Sequence, residues 1–98
     1  MILVRDIFNL KFGKAREAMS LWQDGTKYLE QNGEGPYRVL TDVTGQYYTV
    51  VLESTFKSLA EFEKGHSQTG QSKEWHEWYQ KFTPLVESGR REIFTIVK

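Results

Sequence analysis

The sequence predicts a small α+β domain: one antiparallel sheet with helices on one face, completed by pairing with a second copy of itself. Three observations predict it. The hydrophobic patterns run strand, helix, strand, strand, helix, strand. The chain has 98 residues and no cysteine, so a marginal core has no disulfide to support it. The first strand is partly apolar on both faces, so helices on one side leave the other to be covered.

Residues 2–10 alternate as a strand, with Ile2, Val4, Asp6, Phe8 and Leu10 on one face and Leu3, Arg5, Ile7 and Asn9 on the other. Residues 14–31 form the clearest helix. Ala15, Ala18, Met19, Trp22, Thr26 and Leu29 recur at helical spacing, and Leu21 and Tyr28 widen the stripe. Gly33 sits where a left-handed cap belongs, and Gly35-Pro36 stops continuation. Residues 37–43 and 47–55 read as two strands joined by a turn at Thr44-Gly45-Gln46. Ser58-Leu59-Ala60-Glu61 fits a capping box that opens a short helix ending near Gly65, with 66–70 as a loop. A further helix starts near Gln71 and carries Trp75, Trp78, Tyr79 and Phe82 on one stripe, the pattern of a helix packed on a sheet. Pro84 predicts a kink or restart with Thr83 as a new cap, and Gly89 an end. Residues 91–97 are the last strand. This order is the split β-α-β, or ferredoxin-like, arrangement over a single domain spanning 1–98, with an expected sheet order 4-1-3-2.

Bulk composition removes several function classes. Thirteen basic residues balance thirteen acidic ones, and Arg90-Arg91 is the longest basic run, so no nucleic-acid footprint is present. No apolar run approaches the roughly 18–20 residues of a membrane span. The N-terminus, Met-Ile-Leu-Val-Arg-Asp, turns to charge at once and lacks a signal peptide's basic start, which makes cytoplasm the expected location. Thiol chemistry and Fe–S clusters are excluded, and two histidines are too few for a structural zinc site. No metal or cofactor is expected.

Three segments carry a family resemblance: Leu10-Lys11-Phe12-Gly13-Lys14, Leu52-Glu53-Ser54 leading into Ser58-Leu59-Ala60-Glu61-Phe62, and Lys73-Glu74-Trp75-His76-Glu77-Trp78 continuing to Pro84. The chain resembles the dimeric α+β barrel superfamily, which includes antibiotic-biosynthesis monooxygenases and NIPSNAP-like proteins, and the third segment is most similar to the NIPSNAP-like branch. The resemblance implies a homodimer whose two sheets enclose a cavity. It does not extend to the haem-degrading branch. That branch resembles an Asn, Trp and His set, and the positions here are Asp6, Phe62 and His76, so two of three differ.

The candidate functional residues follow. His66 shares a helix face with Phe62 if that helix reaches it, and a histidine there can serve as a base; otherwise it is a loop residue at the helix C-terminus. Asp6 is the one acid on an apolar strand face and, if buried, needs a partner. His76 borders the aromatic stripe, either as a site residue or as a partly exposed helix residue. His76-Glu77 opens a zinc-protease motif that fails at Gln80. Arg5, Ile7, Asn9, Arg38, Tyr47, Glu53 and Arg91 are expected on the bare sheet face, as a polar set in an apolar wall or as an ion pair across the dimer. The leading expectation is a homodimer binding an apolar or aromatic small molecule between the facing sheets. The rival is a cofactor-free monooxygenase or isomerase acting on a phenolic or quinone-like substrate, with His66 or Asp6 taking the proton. A third is a packed, purely structural dimer.

Overall fold

A computed structural model describes all residues 1–98. In chain order the elements are β1 (Ile2–Leu10), α1 (Ala15–Gln31), β2 (Arg38–Thr41), β3 (Thr49–Phe56), α2 (Leu59–Gly70), α3 (Lys73–Phe82), a 3-10 turn (Thr83–Leu85) and β4 (Val86–Thr95). The sheet order is β2-β3-β1-β4, every neighbouring pair antiparallel. This is the expected ferredoxin-like order, with its second helical segment broken into α2 and α3.

Strand alternation decides where the core sits. Val4 and Leu10 of β1 and Val50, Leu52 and Phe56 of β3 point to one face and are buried there. Ala18, Trp22 and Leu29 of α1 and Trp78 and Phe82 of α3 pack against the Leu10, Val50 and Leu52 end. Phe62 of α2 packs against Val4 and Phe56. All three helices therefore cover the even-numbered face of β1 and leave the face of Arg5, Ile7 and Asn9 without a helical layer. No helix is long and apolar enough to cross a membrane.

Several boundaries differ from the sequence reading, the largest for reasons visible in the structure. The helix expected to end near Gly65 continues to Gly70. Gly65 is a packing residue: a Cβ there would lie 2.8 Å from the Gly33 carbonyl oxygen, so only glycine lets α2 cross the segment after α1. His66 is thus helical. The second strand is confined to Arg38–Thr41, because Asp42 Oδ1 accepts from the Thr49 N–H at 2.8 Å and Tyr48 adopts φ +59°. That left-handed residue delays the start of β3 to Thr49. The last strand begins at Val86 and runs through Gly89. Gly89 ends nothing; it lies opposite Phe8, where a Cβ would sit 3.1 Å from the ring. Pro84 does restart the chain, as a 3-10 turn, but Thr83 lies inside that turn and does not cap it. Both helix starts in this half use serine: the Ser58 hydroxyl accepts from Glu61 N–H, and Ser72 from Trp75 N–H, each at 3.2 Å.

Candidate functional site

A partly open hollow lies on the helix side of the sheet, and a shallower depression lies on the bare side, where the sequence reading placed the polar set. The hollow has a volume of about 360 Å³. Asp6 and Phe8 of β1, Leu52 of β3 and Arg91 of β4 form its floor. The helices contribute Trp22, Thr69, Trp75 and Tyr79, and the segment between α1 and β2 contributes Glu34 and Tyr37.

One side is aromatic. Trp22 lies 6.1 Å from Phe8 and 6.2 Å from Trp75, centroid to centroid, and Trp75 stacks on Tyr79 at 5.6 Å. Trp78 and Phe82, from the same stripe, are buried behind this wall as core. Trp78 N–H donates to Leu21 O at 2.7 Å and is satisfied.

The other side is a connected polar set. The Tyr37 hydroxyl donates to Glu34 Oε1 at 3.1 Å. Glu34 Oε2 lies 3.9 Å from His66 Nδ1. The His66 ring stacks on Phe62 at 5.4 Å, and the Arg91 guanidinium lies 5.2 Å over the same Phe62 ring. Arg91 Nε donates to Asp6 Oδ1 at 2.6 Å. Burial, then the carboxylates of Glu34 and Asp6, push the Tyr37 phenol far above its ordinary value of 10.0, so it stays protonated and acts as a donor. His66 is half exposed, at the rim, while Glu34 is only 3 % exposed. Three polar atoms of residues lining this hollow are buried without a partner: Trp22 Nε1, Glu34 Oε2 and Thr69 Oγ1.

The structure therefore divides the sequence-predicted residues. His66, Asp6 and His76 come together on the helix side. His76 is already engaged, its Nε2 2.7 Å from Gly70 O, where it ties the start of α3 to the end of α2. Arg5, Ile7, Asn9 and Glu53 lie on the bare face, in an open depression, with Arg38 beside Glu53 on the neighbouring strand. There Glu53 is buried between two arginines. Arg5 Nε donates to its Oε2 at 3.0 Å, and Arg38 pairs with its Oε1. The Arg38 hydrogen bond, with help from Arg5, holds the Glu53 carboxyl below its ordinary value of 4.5. Glu92 follows Arg5 on β4, so charges alternate in one row across all four strands. Asn9 donates to Ser88 Oγ at 3.1 Å.

Two expected members leave that set. Tyr47 is 73 % exposed beside Phe12 and lines neither depression. Arg91 faces the helices, because its register partner is Asp6. Sequence reasoning missed Glu34, Tyr37 and Thr69. Glu34 sat in what read as a plain turn between two glycines, and nothing in that pattern signals a buried carboxylate.

Comparison with known proteins bears on this arrangement. An uncharacterised NIPSNAP domain protein from Burkholderia xenovorans superposes with a TM-score of 0.87 at 16% identity, over 99% of this chain and 95% of that one. Protein Atu4242 from Agrobacterium tumefaciens gives 0.90 at 16% identity, over 100% and 95%. SnoaB, a cofactor-independent oxygenase from Streptomyces nogalater, gives 0.74 at 11% identity, over 99% and 93%. These structures share the fold. Comparison with curated proteins gives no match. The NIPSNAP family model matches residues 6–98, nearly the whole chain. With the sheet order and helical layer in agreement, the chain belongs to the NIPSNAP family.

Proposed function

We propose that the chain binds a small aromatic molecule bearing an oxygen substituent, one per protomer, in the hollow between helices and sheet, and that two copies pair through the bare sheet faces. One observation carries the binding reading: Trp22 Nε1, Glu34 Oε2 and Thr69 Oγ1 are buried without partners, and all three residues line one aromatic-walled hollow. A buried polar group left unsatisfied costs on the order of 1–3 kcal/mol. Three around one hollow are accounted for by a guest that supplies the missing partners. The indole N–H can only donate and the carboxylate oxygen can only accept, so the guest needs an acceptor and a donor. A hydroxyl on a flat ring provides both. The volume of about 360 Å³ lies at the low end of small-molecule sites, enough for a bicyclic ring.

The probe is 2-naphthol, titrated calorimetrically. Expected is saturable binding at one site per chain, weakened about tenfold in Thr69→Val and abolished in Gly70→Phe. Gly70 lines the hollow and a Cβ there meets nothing within 4 Å, so the larger side chain enters space without displacing the fold. Equal binding by Gly70→Phe and the parent chain would place the guest elsewhere. Pairing of the sheets rests on the half-apolar bare face, where Leu40 and Phe94 are exposed beside Ile7 and the charged row.

A further inference from the structure

We infer that the hollow is a proton-transfer site, in which His66, positioned by Glu34, removes a proton from carbon next to a carbonyl group of a cyclic or aryl ketone. The inference rests on the binding reading above and adds a reaction to it. Three features carry it together. His66 Nδ1 faces Glu34 Oε2 across 3.9 Å, and that oxygen has no other partner. A carboxylate held behind an imidazole fixes its orientation and stabilises its protonated form, and such hydrogen bonds are often long before substrate binds. The carboxylate is itself held from the far side, by the Tyr37 hydroxyl on Oε1. With a ketone guest, which brings no donor, Glu34 has one oxygen committed to Tyr37 and Oε2 left for the histidine.

The second feature is an electrophilic partner. Trp22, whose ring lines the same hollow, carries in Nε1 a buried donor without an acceptor. A preorganised N–H in an apolar site stabilises an oxygen that gains charge during reaction. The third is access. His66 is half exposed at the rim, so its proton can exchange with water while the ring of the substrate lies against Phe8, Trp22 and Trp75.

The step balances without any co-reactant. With Nδ1 turned to Glu34, Nε2 takes the proton. The C–H bond breaks, its electron pair becomes the enolate double bond, and the carbonyl π pair moves onto oxygen, where Trp22 N–H donates to it. The imidazolium then trades its proton for one from water and delivers that one to the same carbon, which is exchange, or returns its proton to the far carbon of a conjugated enolate, which is isomerisation. Nothing is oxidised or reduced.

The test uses 2-tetralone in heavy water. Loss of its C1 proton signal is followed by NMR, and its binding is measured in parallel by calorimetry. Expected is exchange accelerated by the protein, reduced about a hundredfold or more in His66→Ala and restored in that variant by added imidazole, which reaches the rim that His66 vacates. Glu34→Gln is expected to lower the exchange rate at saturating 2-tetralone, whatever its effect on affinity, since a positioning residue acts through His66. Rescue by imidazole is an outcome that a merely structural histidine does not give. Saturable binding of 2-tetralone without protein-dependent exchange would overturn the proton-transfer inference and leave the binding reading standing. Absence of saturable 2-tetralone binding would overturn the proton-transfer inference, while the 2-naphthol titration decides the binding reading separately.

Discussion

Tyr37 shows how one side chain sets the state of its neighbours. Its hydroxyl is the only hydrogen-bond partner of the Glu34 carboxylate. Because the phenol's folded value is raised above its ordinary 10.0, its contribution to stability is complete below that pH and is lost as pH rises beyond it. Alkaline unfolding is therefore expected to set in as pH passes 10.0, and Tyr37→Phe to blunt that dependence. At neutral pH the same substitution is expected to cost about 1–2 kcal/mol, since both Glu34 oxygens are then buried without partners; urea unfolding at pH 7 and above pH 10 reads both effects. Asp6 on its strand was legible at this scale, because strand period is two. His66 was read as sharing the Phe62 face only if its helix reached it, and the loop expected after Gly65 is helix to Gly70. Glu34 and Tyr37 were not legible as a pair. They flank Gly35 and Pro36 in irregular backbone, where no period says which way a side chain turns.

At the scale of elements, α1 and α3 approach through a glycine. A Cβ at Gly25 would lie 2.5 Å from the Trp78 ring and 2.7 Å from Trp22. Alanine favours a helix interior over glycine by about 1 kcal/mol, so at an open position Gly→Ala stabilises. Here the contacts are rigid indoles, and overpacking costs about 1–3 kcal/mol. Gly25→Ala is expected to lower stability by up to about 2 kcal/mol net, whereas a gain would show that the two helices have room to separate; thermal unfolding decides between them. The type and order of the elements were legible, since hydrophobic periods of 2 and 3.6 are local properties. Their ends were less so. Gly65 and Gly89 read as punctuation, yet each is a place where another chain segment comes close, a tertiary fact that local sequence does not carry. The misplacement of Arg91 has the same root. Its face depends on pairing with Asp6 across the sheet, not on its own neighbours.

The whole molecule presents two unlike surfaces on one sheet. The helix side holds a hollow with unsatisfied polar groups; the bare side holds a row of paired charges among apolar residues. That β1 is apolar on both faces was enough to predict a two-sided sheet, but not which side holds the hollow. That depends on how the α2–α3 junction and residues 34–37 meet the sheet. If the bare faces pair, sedimentation equilibrium is expected to give twice the chain mass of 11.5 kDa, and the double variant Leu40→Asp with Phe94→Asp to give the single mass. A parent chain that sediments as a monomer at high micromolar concentration would remove the pairing.

The central claim is that the helix-side hollow takes an oxygen-bearing aromatic guest. It is tested most directly by following the 2-naphthol titration at the three indole N–H signals of the ¹⁵N-labelled protein. Trp22 N–H lacks an acceptor, while Trp78 N–H already donates to Leu21 O. The account predicts a saturable downfield shift of the Trp22 signal with the Trp78 signal nearly unmoved. A Trp22 signal that stays in place while 2-naphthol binds would contradict it.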